Sequence, residues 1–348
     1  MGNVNESALL LKGRRVLVTG ATGAVGPAVI NACLAAGAVV RTMQRTATTT
    51  PRVESTVGDL TRPDTLSRAL EGIDTVVHLA GLLHVNNPPP AMLADYQRVN
   101  VEATQNLLHA CAVAQVRRVV FASTVAVYGP TSPGAPPTTE MAGCAPDTPY
   151  GRSKLAAERH VLACGGSGRL PEGVVLRCAA VYGVQVKGNY QRLVRAVARG
   201  RFVTIGHGNN RRTLVHEDDL SKAFVLATAH PAAVGRTFNI TDGRVHRVRD
   251  IVSAIAAATG GQVHRIQVPA LLAFAGATLI EGGAALLRRQ PPVHRGLVRK
   301  LLEDVAVDGS LASRVLGFVP QFDLESGWRD VIGRMRNDGR LPPVSSGR

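Results

Sequence analysis

The run Arg15-Val16-Leu17-Val18-Thr19, followed by Gly20, Gly23 and Gly26, constrains the fold more than any other feature of this 348-residue sequence. A short β-branched apolar run reads as a buried strand, and the glycines running into Pro27-Ala28-Val29 read as a tight turn that opens a helix. Glycine is needed where φ is positive or another backbone comes close, and proline in the first turn removes only an N–H that has no helical partner. The start of such a helix carries open N–H groups and partial positive charge, a place suited to the pyrophosphate of a dinucleotide. An ordinary glycine-rich βα turn looks the same in isolation, so the rest of the chain has to decide.

That rest continues the same alternation. Strands are predicted at Arg15–Thr19, Val39–Met43, Val53–Val57, Thr75–Leu79, Val119–Ala122 and Val174–Arg177, separated by longer helical patterns. Six strands arranged this way predict an α/β fold with a Rossmann-type doubly wound parallel sheet. Residues 131–149, rich in Pro, Thr and Gly, predict a long functional loop that delivers the chain to Tyr150. Beyond residue 183 the pattern loosens into helices at 190–199, 218–229 and 248–259 with short strands at 202–205 and 237–240, read as a smaller C-terminal α/β lobe. The expected division is a dinucleotide-binding domain with the catalytic residues at 14–183 and a mostly substrate-binding lobe at 184–335, with 1–13 and 336–348 as flexible ends.

Composition narrows the partners. Lys and Arg exceed Asp and Glu by 15, but the lysines are few and the arginines scattered without interleaved aromatics, so nucleic acid is not indicated. Cys33, Cys111, Cys144, Cys164 and Cys178 are odd in number and never form C-x-x-C, which predicts neither a disulfide framework nor a zinc site, no metal, and a reducing cytoplasm as the home. The N-terminus lacks the pattern of a secretory signal. The apolar stretch 268–287 approaches membrane-spanning length, but Glu281 and its glycines and proline favour a buried or membrane-surface helix over a transmembrane one.

Chemistry enters at "PYGRSKLAAER". Tyr150 and Lys154 stand four apart on a predicted helix and share a face. A nearby ammonium favours the phenolate, so the pair can act as an acid/base group near neutrality. Ser123 and Thr124 end the fifth predicted strand with hydroxyls able to hold a substrate oxygen.

Taken in order, the glycine turn, these hydroxyls and Y-x-x-x-K resemble the extended short-chain dehydrogenase/reductase family, of the nucleotide-sugar epimerase, dehydratase and reductase kind, over about residues 14–335. The resemblance implies that Gly20, Gly23 and Gly26 hold the dinucleotide and that Thr124, Tyr150 and Lys154 are catalytic, Lys154 also holding the nicotinamide ribose. It implies that Asp59 and Leu60 contact the adenine and that Leu79, Ala80 and Gly81 lie beside the cofactor; His78 reads equally as a core histidine, and Asn100 as structural or binding. Arg212, with Arg211 as the alternative, matches the family's arginine on the substrate diphosphate, whereas His216 and Asp219 read as structural. A homodimer is implied as well.

Departures point within the family. Ala180 stands where many epimerases carry asparagine, which moves weight toward 4-keto reduction, and no Asp-Glu follows Thr124 as in the dehydratases. The second strand ends in Gln44 rather than an acid that would repel a 2′-phosphate, with Arg41 and Arg45 nearby, so NADP is favoured slightly over NAD. The expected function is NAD(P)-dependent 4-keto reduction or 4-epimerisation of a nucleotide sugar. The alternatives are a 3β-hydroxysteroid or dihydroflavonol-type carbonyl dehydrogenase/reductase and a non-catalytic dinucleotide-binding sensor.

Overall fold

The first half of the chain alternates strand and helix as its hydrophobic periods dictate: β1 (Arg15–Thr19), α1 (Gly26–Ala35), β2 (Val39–Gln44), β3 (Glu54–Val57), α2 (Leu66–Leu70), β4 (Thr75–His78), α3 (Ala91–Tyr96), α4 (Ala103–Val113), β5 (Arg118–Thr124), α5 (Pro149–Ala163) and β6 (Glu172–Cys178). The second half is built of shorter pieces: β7 (Ala180–Tyr182), α6 (Asn189–Ala198), β8 (Thr204–Ile205), β9 (Arg211–Arg212), β10 (Leu214–His216), α7 (Glu217–Ala229), β11 (Thr237–Ile240), β12 (His246–Arg247), α8 (Val248–Thr259), β13 (Gln267–Val268), α9 (Ala270–Leu286), α10 (Arg295–Leu302), α11 (Ser310–Leu316) and α12 (Leu324–Asn337). The computed structural model describes residues 10–47, 52–85, 88–165, 171–186, 189–200, 202–261, 267–286 and 295–341.

Seven strands form one parallel sheet in the order β3-β2-β1-β4-β5-β6-β11. Parallel neighbours need crossover connections, so helices cover both faces, and successive side chains along each strand enter opposite cores. Val16 and Val18, Val77, Val120, Val174 and Leu176 point into the core shared with α1 and α7, whereas Leu17, Val76, Val119, Phe121 and Val175 point into the core under α2, α4 and α5. The order of strands reverses between β1 and β4, and the crevice at the carboxyl ends of those strands is where such sheets take ligands.

The seventh strand corrects the reading of 237–240 as part of the second lobe. Phe238 pairs with Leu176 and Ile240 with Cys178 at the edge of the large sheet, and both side chains are buried there. A four-residue strand states its hydrophobicity but not its partner, and here the apolar surface left by β6 decides. Helix α7 likewise covers the large sheet, with Phe224 and Ala223 against the α1 side. The second lobe's own core gathers Tyr182, Val194, Val197, Leu214, Ile251, Ile255, Trp328, Val331 and Ile332 from β7, α6, β10, α8 and α12.

The ends are also more built than expected. Leu11 is fully buried and its N–H donates to the Ala36 carbonyl at 2.9 Å, while the Arg340 guanidinium reaches the Val184 carbonyl at 2.7 Å and Leu341 is buried. Residues 1–9 and 342–348 of these stretches lie outside the described residues. The long loop 131–149 is clamped by the segment after α10: Thr138 N–H donates to the Ala306 carbonyl and Asp308 N–H to the Thr138 carbonyl, both at 2.9 Å. Among the described residues no helix is long and apolar enough to cross a membrane.

Candidate active site

The turn after β1 uses its glycines as the sequence requires. Gly20 has φ +71°, and a Cβ there would stand 2.6 Å from the Ala80 nitrogen; a Cβ on Gly26 would stand 2.2 Å from the Ala21 carbonyl oxygen. The tight path is closed by Gly23 N–H donating to the Gly20 carbonyl at 2.9 Å. No side chain caps α1 at Val25; Gly26 N–H donates to the Gly23 carbonyl at 3.3 Å and Pro27 has no N–H, which leaves the rest of the first turn to face an anion.

At the ends of β4 and β5 the chain assembles the candidate acid/base group. Thr148 caps α5 by accepting from Gly151 N–H at 3.1 Å, Pro149 sits in the first turn, and Tyr150 follows at once. Gly151 lets the helix start press on the turn after β5, since a Cβ there would lie 2.8 Å from the Ala126 carbonyl oxygen. Tyr150 is thereby brought to Thr124, with which its phenol hydrogen-bonds, while His84 and Tyr96 meet its ring at centroid distances of 5.9 and 6.2 Å. One turn on, Lys154 is buried with its Nζ 4.0 Å from the centre of the Phe121 ring.

Burial sets the proton affinities here. It pushes the Tyr150 phenol above its usual range, with Cys178 adding to the rise and the Thr124 bond opposing it. The same burial pulls Lys154 down to about 8, against the favourable pull of Cys178 and Glu158, and lifts the Cys178 thiol to about 12. In the free chain desolvation outweighs the contacts that favour the phenolate.

Ser123 does not join Thr124 at the substrate. Its hydroxyl turns under the sheet and donates to Glu158, so the substrate role expected for it is corrected to a supporting one. Glu158 in turn holds Arg177 through Nη2 at 2.7 Å and Nε at 3.1 Å, Arg177 Nη1 donates to the Tyr128 hydroxyl at 2.9 Å, and that hydroxyl donates to Asn239 Oδ1 at 2.8 Å. Burial opposes the guanidinium charge, but Glu158 more than offsets it and Arg177 stays firmly protonated. This buried chain, running beneath the site from β5 to β11, escaped the sequence reading. Two signals were present: Glu158 four residues after Lys154, and an arginine inside the apolar run of β6.

Other expected residues fall into two groups. His78 is a satisfied core histidine, with Nδ1 2.8 Å from Thr19 Oγ1 and Nε2 3.0 Å from Thr104 Oγ1, and burial drives its pKa to about 3. Asn100, in a π-helical turn between α3 and α4, ties the loop after β4 to α5: Leu82 N–H donates to its Oδ1 at 2.7 Å and its Nδ2 donates to Ser153 Oγ at 2.9 Å. Leu79 and Ala80 are half-buried and Gly81 exposed along the crevice. Asp59 folds into a turn by accepting from Thr61 N–H at 2.9 Å, which lowers its pKa, and Leu60 is buried beside it.

The arginines behave differently from expectation. Arg41 is tied to Glu54 at 2.9 Å and to the Glu71 carbonyl at 2.7 Å, which leaves exposed Arg45 as the guanidinium near the end of β2. Arg212 donates to the carbonyls of Glu303 and, at 2.9 Å, Lys300, holding the C-terminal end of α10, and Arg211 is paired with Asp304 at 2.8 Å. Both guanidinium groups are thus engaged by acceptors of the segment 300–304. His216 is buried at the cap of α7 and stacked on Phe322 at 3.9 Å; Asp219 accepts from Gln321 N–H at 3.0 Å. His216, Asp218 and Asp330 cluster closely enough to bind a cation, but Arg334 lies 2.9 Å from Asp218 and 3.5 Å from Asp330 and already supplies the positive charge.

A dinucleotide fits these residues: Gly20 and Gly26 let the turn fold tightly onto Ala80 and Ala21, the start of α1 carries no side-chain cap, and the crevice beyond it leads to Lys154 and Tyr150. Comparison with known proteins agrees. The UDP-glucose 4-epimerase of Vibrio cholerae is 31% identical over 261 residues, covering 74% of this chain and 79% of that one. The 3 beta-hydroxysteroid dehydrogenase/Delta 5-->4-isomerase of Mycobacterium tuberculosis is 29% identical over 279 residues, covering 76% and 75%. The structure of MoeE5 in complex with UDP-glucuronic acid and NAD superposes with a TM-score of 0.75 at 30% identity, covering 93% of this chain and 99% of that one. Residues 16–241, from β1 through the seventh sheet strand, match the NAD dependent epimerase/dehydratase family, and the chain belongs to that family.

Proposed function

We propose that this chain transfers a hydride at a ring carbon of a nucleotide sugar, reducing a 4-keto group or epimerising the 4-position. The observation that carries the reading is the cluster of Thr124, Tyr150 and Lys154 at the carboxyl edge of the sheet, beside the glycine turn. Relatives named for UDP-glucose and UDP-glucuronic acid support the substrate class.

The nicotinamide dinucleotide supplies or receives the hydride. Thr124 orients the substrate oxygen, and Tyr150 donates its proton to that oxygen as the carbonyl becomes an alcohol. Lys154, cationic at neutral pH, favours the phenolate left behind and holds ribose hydroxyls. A phenol kept protonated by burial suits the reductive direction and supports the reading of 4-keto reduction over epimerisation. Ala180, in place of the asparagine of many epimerases, weighs the same way. For the cofactor, Gln44 repels no 2′-phosphate, but Arg41 is held by Glu54, which leaves Arg45 of the two expected arginines to attract one, so NAD and NADP are proposed to bind comparably.

A second reading, oxidation or reduction of a steroid-like carbonyl, is favoured by one observation: Arg212 is engaged by the carbonyls of α10. Turnover of UDP- and dTDP-sugars against a 3β-hydroxysteroid, followed as nicotinamide absorbance, separates the two. The first reading expects sugar-nucleotide turnover with a raised KM in Arg212→Ala; steroid turnover indifferent to Arg212→Ala would replace it. Nucleotide released from the purified protein adds direction, since tightly retained NAD would mark an epimerase.

A further inference from the structure

We propose that α9 is a docking surface for an anionic lipid bilayer, lying in the plane of the headgroups. Leu271 is 80% exposed, Leu272 62% and Leu279 78%, with Ile280 at 39%. Leu271, Leu272, Ala275 and Leu279 fall on one stripe of the helix, and Thr278 is the lone polar side chain on that exposed face. Helix α12 shows the ordinary alternative, burying Trp328, Val331, Ile332 and Met335 while leaving Arg329 in water. In α9 the buried side is small instead, centred on Ala277, so the large apolar side chains face outward.

Charge identifies the occupant. The acid of α9, Glu281, is engaged by Arg295, whose N–H and Nε reach its carboxylate at 2.6 and 2.7 Å. The sequence from Leu286 to Lys300 then carries Arg288, Arg289, Arg295, Arg299 and Lys300 and no acid; Arg295 is taken by Glu281 and Lys300 by Asp147 and Glu303, so the basic surplus of this flank rests on Arg288, Arg289 and exposed Arg299. An apolar helix with a basic flank is attracted to anionic headgroups through both terms. A two-fold contact with a second copy would set that basic flank against itself. The helix has 17 residues, interrupted by Gly276, Gly282 and Gly283, and is too short to span, so it lies on the surface.

The placement matters for the enzyme. Helix α9 packs on α10, whose Lys300 pairs with Asp147 at 3.5 Å, three residues before Tyr150. The docking face is therefore one helix away from the cleft. The proposal is independent of the substrate the cleft turns over, because lipid binding is read without substrate.

The test is co-sedimentation of the full chain with vesicles of phosphatidylcholine alone or mixed with phosphatidylglycerol, beside light scattering for oligomeric state. We expect sedimentation with the anionic vesicles, weaker in about 1 M salt, and at least a roughly tenfold loss in the double variant Leu271→Glu with Leu279→Glu. Both leucines are exposed, and an unchanged melting curve establishes that the variant is folded. Absence of wild-type binding to anionic vesicles, or binding unaffected by the double substitution, overturns the proposal. An oligomer that dissociates in the variant without any vesicle binding assigns the face to a second copy instead.

Discussion

Thr124 and Tyr150 meet on the floor of the cleft, with Lys154 one helical turn beyond over the Phe121 ring, whereas Arg211 and Arg212 in the second lobe turn into an acid and main-chain carbonyls. The floor is placed by backbone devices: a strand end, the Thr148 cap, Pro149 in the first turn and Gly151 pressed against Ala126. Each device demands a residue type, so type and role coincide. A guanidinium on a long flexible stem has no such constraint and goes to the nearest acceptors. Arg118 does so at the C-terminal end of α7, reaching the carbonyls of Ala227 and Thr228 at 3.0 and 2.9 Å, and Arg336 at the end of α8, reaching the Thr259 carbonyl at 2.8 Å. Carbonyls at helix ends attract cations. Part of the positive charge of the chain is thus occupied inside the molecule.

If the floor is rigid because of what lies under it, the largest effect belongs to the buried chain. Glu158→Ala leaves Arg177 buried without its partner and should cost about 3–5 kcal/mol of stability, measured by denaturant unfolding, and lower kcat in the fraction that folds. Full kcat in that folded fraction would break the contrast, since the floor would then stand without its support. Tyr150→Phe comes next: turnover should fall about a hundredfold or more with dinucleotide affinity retained, by steady-state kinetics and cofactor titration.

Lys154→Met should abolish turnover yet stabilise the dinucleotide-free fold by about 1–3 kcal/mol, because a buried ammonium is removed. The sign with pH follows from the depressed pKa of about 8 against the ordinary 10.5. Below pH 8 the folded chain carries the full penalty; between the two values the folded state gives up its proton before the unfolded one, so wild type gains on the variant as pH rises. Melting curves of both from pH 7 to 10 should converge, and a constant gap would place the ammonium in a wetter site. The smallest effect is expected at Arg45→Ala, a fewfold weaker NADPH affinity with NADH unchanged. Equal losses for both cofactors would remove Arg45 from the 2′-phosphate.

Legibility in the sequence followed the same division. The six expected strands appear with ends within two residues, because alternating burial on a two-sided sheet imposes an apolar run that local pattern reveals. Position 237–240 was seen as a strand and assigned to the wrong layer, since its partner β6 lies some sixty residues away and pairing leaves no local mark. Ser123 and Thr124 are adjacent hydroxyls, but alternation along β5 sends them to opposite sides, one to Glu158 and one to Tyr150. That parity was readable beforehand. The engagement of Arg41 by Glu54 was not, because it depends on β2 and β3 being neighbours in exact register, Arg41 opposite Glu54.

The seventh strand also bears on how the molecule is made. A chain elongated only to residue 183 already contains Gly20, Thr124, Tyr150, Lys154, Glu158 and Arg177, yet Tyr128 lacks Asn239 and the outer side of β6 presents unpaired main-chain groups. During synthesis the proposed catalytic set thus emerges before its own seal. Until Thr237–Ile240 leaves the ribosome, the nascent enzyme is an open-edged sheet that another such edge could join, and the speed of translation across residues 184–240 governs how long that hazard lasts.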